Sequence, residues 1–264
     1  MTGRQFTGAV VLLAAVQLAP VAAVSARTDP PPAPRSGISY AGAGVRAMQA
    51  DDFSNPGMLW VTRGEKLWNA AAGRNNRTCA DCHHDAASSM RGAATRYPRI
   101  DASGSRLINL EGRINQCRVQ HQAAEPLAHE TDELLALTAY VAYQSRGMPL
   151  AVRVDESNRA NYLRGRDIYY RRQGQMNLAC THCHERNAGR RLLAETISEG
   201  HGNAYPAYRL EWQTLGSLQR RLRACYYGVR AEMPAFGSDE LLDLELYLAR
   251  RATGLVVETP GVRR

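Results

Sequence analysis

The chain has 264 residues, 44% of them hydrophobic and 22% charged, and a formal net charge of +8. That composition excludes a disordered chain, a collagen-like chain and a multi-span membrane protein, and the length allows one large or two small domains. Aromatic residues make up only 7%, with three Trp and three Phe, so a conventional core would be thin; a buried cofactor would supply the volume, and the six cysteines are the first place to look for it.

Residues 1–26 carry one charge, Arg4, then the apolar run Phe6 to Leu18, then Pro20 and the small residues Val24, Ser25 and Ala26. That order predicts a secretory signal peptide cut after Ala26. Gly8, Gln17 and Pro20 leave the run too short and too interrupted to span a bilayer comfortably, so no stable membrane insertion is expected. The remainder is expected to be exported into a disulfide-permissive space. Residues 27–49, with TDPPPAPRS at 28–36, read as an extended Pro-rich N-terminal segment. Lys66 is the only lysine. The basic charge is otherwise arginine spread along the chain, which reads as ordinary surface or an anion-binding face. Nucleic-acid binding is not expected, since no zinc-finger, helix-turn-helix or aromatic stacking motif is present.

Gly64 opens the helical stretch Glu65-Lys66-Leu67-Trp68, and 15 residues after it comes Cys79-Ala80-Asp81-Cys82-His83. Gly165 opens Arg166-Asp167-Ile168-Tyr169, and Cys180-Thr181-His182-Cys183-His184 follows at the same spacing. Each pentapeptide is C-x-x-C-H. Its two thiols add to the vinyl groups of one haem and its His turns onto the iron, so Cys79, Cys82, Cys180 and Cys183 are expected to attach two c-type haems, with His83 and His184 as iron ligands. Zinc would not require a His after each pair, and 101 residues between the pairs is far beyond usual ligand spacing. A thioredoxin-type dithiol comes singly at a strand-to-helix junction.

Further matches recur at an offset of 108: Tyr97-Pro98 with Tyr205-Pro206, Leu110 with Leu218, Arg113 with Arg221, and Cys117 with Cys225. Each half closes on an apolar helical pattern, from Glu133 to Gly147 and from Glu240 to Gly254, with acidic residues first and arginine then Gly last. The expected fold is mainly α, two tandem class I cytochrome c-like domains related by an internal repeat. The first is expected over residues 50–155 and the second, holding the catalytic haem, over 156–264.

The second axial ligand of each iron decides between electron transfer and chemistry. Met233-Pro234-Ala235-Phe236-Gly237 has the look of a methionine-ligand loop, but Met148-Pro149 follows its terminal helix and Met90 has no counterpart. Cys117 and Cys225 hold equivalent positions and suit iron ligation better; a disulfide between them, or a buried structural thiol, is the other reading. Helical spacing puts Arg221 on the face of Cys225, where a guanidinium would favour a thiolate and attract a small dianion. Arg223 and Arg230 are weaker candidates because one helix cannot point all of them inward.

Residues from about 50 to 257 resemble the SoxA family, the dihaem c-type cytochrome subunits of the SoxAX complex of periplasmic thiosulfate oxidation. The resemblance rests on the two C-x-x-C-H motifs, Arg-Ile-Asn-Gln-Cys-Arg at 113–118 and Arg-Ala-Cys-Tyr-Tyr-Gly-Val-Arg-Ala-Glu at 223–232. It implies an L-cysteine S-thiosulfotransferase subunit that pairs with a mono-haem cytochrome, SoxX, and acts on the SoxYZ carrier. Thiosulfate would be joined to a carrier cysteine while electrons leave through haem. It implies Cys225 as thiolate ligand and persulfide site, Arg221 as an active-site arginine, and Cys117 as the first iron's thiolate. Met233 departs from the pattern and leaves methionine ligation of the second iron open. A non-catalytic dihaem electron carrier and a dihaem peroxidase are the rival readings.

Overall fold

The computed structural model describes residues 1–3, 5, 33–104 and 106–264. The signal-peptide expectation and the start of the Pro-rich segment lie almost wholly outside these residues. The described part of 27–49 is not extended. Gly37–Tyr40 form a 3-10 turn and Ala43–Ala50 form helix α1, which lies beside the last strand and sends Gln49 Oε1 to accept from the Val262 backbone at 2.9 Å.

Helices dominate the rest of the chain. In order they are α2 (Met58–Trp68), α3 (Ala80–His83), α4 (Ala86–Ser89), α5 (Leu110–Cys117), α6 (Asp132–Tyr143), α7 (Arg159–Tyr170), α8 (Cys180–His184), α9 (Leu218–Gly228) and α10 (Asp239–Arg251). Short strands are interleaved: β1 (Arg99–Ile100) with β2 (Leu107–Ile108), β3 (Arg191–Leu192) with β4 (Glu195–Thr196), and β5 (Ala207–Arg209), which pairs antiparallel with β6 (Thr214–Gly216) and parallel with β7 (Gly261–Arg263). No helix among the described residues is long and apolar enough to cross a membrane.

The two terminal helical patterns form as expected, and local chemistry explains their ends. Thr131 caps α6 by accepting from Leu134 N, and Ser238 caps α10 by accepting from Leu241 N. Asp132 and Glu133 open the first, Asp239 and Glu240 the second, where carboxylates meet the positive end of the helix dipole. Beyond the helix ends the chain turns through Gly147 (φ 79°) and Gly254 (φ 90°).

Helix α2 packs along α6, and α7 along α10. Both contacts run through a glycine. A Cβ on Gly64 would sit 2.1 Å from the Ala136 carbonyl oxygen, and one on Gly165 would sit 1.9 Å from that of Asp243. Only hydrogen fits between such backbones, which is why Gly holds a mid-helix position where Ala would otherwise be preferred by about 0.5–1 kcal/mol. Asp243, almost fully buried on α10, is neutralised by Arg164 at 2.6 Å and Asn161 at 2.7 Å from α7.

Residues 34–264 form one compact unit. Leu215 of β6 packs with Val61, Leu135 and Ala139 from α2 and α6, while Leu107 of β2 packs with Leu242 and Leu246 of α10. The two halves of the chain therefore share cores. A cavity of about 110 Å³ lies between them, lined by Tyr97, Pro98, Tyr205, Pro206, Glu111 and Glu245 among others. Glu245 is 6% exposed and accepts from Asn109 Nδ2 at 3.3 Å. Burial, reinforced by the carboxylate of Glu111, pushes its pKa up to about 8.

Folding thus raises the proton affinity of Glu245 above that of an unfolded carboxyl near about 4.3. The native state binds the extra proton, so stability falls as pH rises from that value through about 8. The isosteric change Glu245→Gln removes the titration. Thermal denaturation is expected to show this variant melting several degrees above the parent at pH 8 and close to it at pH 4.5; the same difference at both pH values would be the contrary result.

Candidate functional site

Each C-x-x-C-H motif folds into a single helical turn. Cys180 begins α8, so Cys183 and His184 stand one turn above it on the same face. Cys79 caps α3, and the His83 amide bonds back to the Cys79 carbonyl at 3.0 Å. The loop ahead of each turn is clasped to the helix that bears the lone cysteine. Asn75 N donates to Gln122 O at 3.2 Å just beyond Cys117, and Gln175 N donates to Arg230 O at 3.2 Å just beyond Cys225. Backbone hydrogen bonds thereby hold each lone cysteine against its motif.

Around Cys225 the donor set is complete. His184 Nδ1 lies 2.8 Å from the Ser198 carbonyl oxygen, so Nδ1 carries the proton and Nε2 is left free. The ring is within hydrogen-bonding reach of the Cys225 sulfur, and Cys180 and Cys183 lie close enough for their thiols to feel it. A protonated Nδ1 anchored on a backbone carbonyl is the usual support for a metal-ligating histidine. Among the described residues no three His, Cys, Asp or Glu side chains cluster to hold a bare metal ion. Two thiols for attachment, one His and one opposing Cys are instead what an iron already held by a porphyrin needs, so these residues fit a c-type haem.

Arg221, four residues before Cys225 on α9, is beside the sulfur. Burial alone would push the Cys225 thiol up, but the Arg221 guanidinium, the His184 ring and Arg209 bring its pKa down to about 7. Among the described residues the Arg221 side chain donates no hydrogen bond to the protein. Its neighbours are committed elsewhere: Arg220 lies over Trp212 at 4.2 Å and reaches Glu130 at 3.8 Å, while Arg223 lies over Phe236 at 4.4 Å and donates to the Pro234 carbonyl. Arg230 is exposed. Met233 is 44% exposed, whereas the Cys225 sulfur is within reach of the His184 ring.

The first constellation repeats the residue types with different electrostatics. Cys117 ends α5, and its thiol is near those of Cys79 and Cys82. Burial keeps the Cys117 thiol above its ordinary pKa even though Arg113 opposes it. Arg113 spends a hydrogen bond on Gln116 Oε1 at 2.8 Å. His83 packs 5.7 Å from the Trp68 ring, and burial lowers its pKa. No disulfide links any of the six cysteines, Cys117 and Cys225 included.

Two contributors carried no signal in the sequence. Arg209 on β5 is 4% exposed, lies over Trp212 at 5.0 Å and reaches Glu211 at 2.8 Å and Glu195 at 3.4 Å; it adds positive potential at Cys225. The strap at 198–201 supports His184 from behind. Gly200 has φ 75°, and a Cβ there would fall 2.8 Å from the His184 ring. Both arise from chain segments that meet only on folding.

Residues 63–150 match the family model described as SoxA/TsdA, cytochrome c domain. The chain is 42% identical over 230 residues to the L-cysteine S-thiosulfotransferase subunit SoxA of Pseudaminobacter salicylatoxidans, covering 87% of this chain and 80% of that one. It is 37% identical over 228 residues to the subunit of the same name from Paracoccus pantotrophus, covering 86% and 78%. Its fold is similar to the crystal structure of SoxXA from P. pantotrophus, with a TM-score of 0.85 at 36% identity over 88% of this chain and 87% of that one. The fold is accordingly cytochrome c-like.

The strap yields a direct test of the site. Gly200→Ala is expected to push the His184 ring off the Ser198 carbonyl and to change the visible and electron paramagnetic resonance spectra of the protein's bound haem. Spectra identical to the parent would show that the strap does not set the ring.

Proposed function

This chain belongs to the SoxA family, and we propose that it is the catalytic dihaem subunit of a periplasmic enzyme that joins thiosulfate to a cysteine of the SoxYZ carrier. It is a subunit of an L-cysteine S-thiosulfotransferase of sulfur oxidation, carries covalently bound haem and pairs with SoxX. The finer reading is two tandem cytochrome c-like domains, at 50–155 and 156–264, related by an internal repeat. One haem would be held by Cys79, Cys82, His83 and Cys117, the other by Cys180, Cys183, His184 and Cys225. A signal peptide cut after Ala26 would deliver the chain to the periplasm.

One observation carries this reading: His184, with Nδ1 anchored on Ser198, and the uncommitted guanidinium of Arg221 converge on one sulfur, that of Cys225. Arg221 supplies a positive charge for the thiosulfate dianion, next to the atom where sulfur is to be handled. Buried Arg209, paired with Glu195 and Glu211, adds to the same field. With its pKa lowered to about 7, Cys225 is readily available as the thiolate, the form able to attack sulfur or to carry it as a persulfide. When bound, haem supplies a one-electron acceptor beside this sulfur, and thiolate ligation keeps its potential low. Overall, a carrier thiol and thiosulfate form one S–S bond and release a proton and two electrons.

Intact-mass analysis is expected to give residues 27–264 plus two haems, with a further sulfur adduct that reductant removes. Cys225→Ala is expected to abolish thiosulfate-dependent cytochrome reduction in the presence of carrier. Arg221→Leu should lower kcat/KM for thiosulfate at least about tenfold, the scale of a lost hydrogen bond to a charged group. Full activity of Cys225→Ala would remove the catalytic assignment and leave an electron carrier.

A further inference from the structure

We propose that His201 is a positioning residue that hydrogen-bonds, through Nδ1, to a carboxylate of the haem attached at Cys180 and Cys183. The proposal rests on the reading that this site carries haem. The His201 side chain is 3% exposed, and its Nε2 lies 3.1 Å from Glu199 Oε2. Glu199 is also bound by the Tyr40 hydroxyl at 2.6 Å and the Arg35 amide at 2.9 Å. Burial works against its charge, but these donors keep Glu199 below its ordinary range. An ionised Glu199 only accepts, so Nε2 donates. Nδ1 is then buried with no hydrogen-bond partner among the described residues. Such an atom is rare in a native protein and costs about 1–3 kcal/mol if nothing meets it.

The surroundings say what meets it. His201 ends the strap whose Ser198 carbonyl takes His184 Nδ1 and whose Gly200 abuts the His184 ring. Arg251, from the last turn of α10, donates to the Glu199 carbonyl at 3.2 Å and stacks on Tyr169 at 4.6 Å, close enough to Cys180 to act on its thiol. His201 thus sits at the edge of the haem site, in a positive environment. Apart from its metal centre, a c-type haem offers one kind of polar group, the carboxylate. Donation from both ring nitrogens requires the imidazolium form; burial and the charges of Arg251 and His184 oppose it, Glu199 favours it, and the second carboxylate itself would stabilise it further. The position 108 residues earlier is Ala93, packed in an apolar cluster. The other haem therefore has no imidazole at this position and serves as an internal control.

The test is resonance Raman spectroscopy of the full chain in its complex, reading the haem carboxylate bending bands, with intact mass to count haems. The amide of His201→Asn falls near Nδ1, whereas that of His201→Gln reaches toward Glu199. Parent and Asn variant are expected to show one hydrogen-bonded carboxylate band that the Gln variant loses, with the other haem's bands unchanged. Identical spectra for all three, or no such band in the parent, overturn the proposal. Should the Gln variant fail to accumulate, redox-difference infrared spectra of the parent with 13C-labelled haem carboxylates decide it. A labelled band that shifts in deuterium oxide is expected, and an insensitive one overturns the assignment. Two attached haems with free carboxylates sink this proposal alone; a parent lacking haem at Cys180 and Cys183 sinks the site reading with it.

Discussion

The placement of each lone cysteine depends on backbone held against backbone. Gly64 lets α2 press on the Ala136 carbonyl and Gly165 lets α7 press on that of Asp243, at separations that leave no room for a methyl group. A loop over residues 69–78 leads from α2 to the first attachment turn, where the Cys79 amide bonds back to the Trp68 carbonyl at 3.1 Å. The loops at Asn75 and Gln175 then bond to the far ends of the stretches that carry Cys117 and Cys225. None of these contacts involves a long side chain with rotamer freedom to lose, so the geometry is rigid at small entropic cost. A site that must present sulfur to an iron within a few tenths of an ångström benefits from such a frame.

Within that common frame, charge separates the two sites. Arg113 stands four residues before Cys117 as Arg221 stands four before Cys225, yet burial keeps one thiol above its usual range while the other falls to about 7. The differences are local. Gln116 draws off Arg113, whereas the Arg221 side chain donates no hydrogen bond among the described residues and acts on Cys225 together with Arg209 and His184. Neutralising Arg209 with Glu195 and Glu211 lets a buried guanidinium persist without an unpaired charge. The proposed division between a catalytic second site and a quieter first one follows from this asymmetry, because only the second keeps an arginine free for an anion.

Charge is also concentrated where the halves meet. Glu245 and Glu111 face the cavity between the two Tyr-Pro bends, and burial holds Glu245 toward its neutral form. A buried carboxyl of this kind ties the cohesion of the halves to protonation, whereas the carboxylate of Asp243, two residues away, is paired with the Arg164 guanidinium and accepts a hydrogen bond from Asn161 Nδ2.

Much of the candidate site was legible in the sequence because its chemistry is local. C-x-x-C-H closes within one helical turn, Arg221 and Cys225 share a face by helical period, and the terminal helices announce themselves by caps and apolar spacing. The glycines at 64 and 165 were visible as repeated positions, though their reason, the carbonyl pressed against each, was not. Residues 43–50 form a helix where the proline content upstream points to extended chain. Arg209, the Ser198 carbonyl behind His184, Gly200 and the buried His201 were invisible, as were the Trp212 and Phe236 rings that occupy Arg220 and Arg223. By itself, then, the sequence determined the attachment turns, the residue types offered to each iron and the helices that bear them, since these depend on neighbours within a few residues. Only the tertiary structure decided which arginine stays free, which histidine nitrogen is left for iron and which cysteine becomes the acidic one. Those outcomes are set by electrostatic and hydrogen-bonding partners from segments far apart in the chain, and their strength depends on a burial that exists only once the halves have packed.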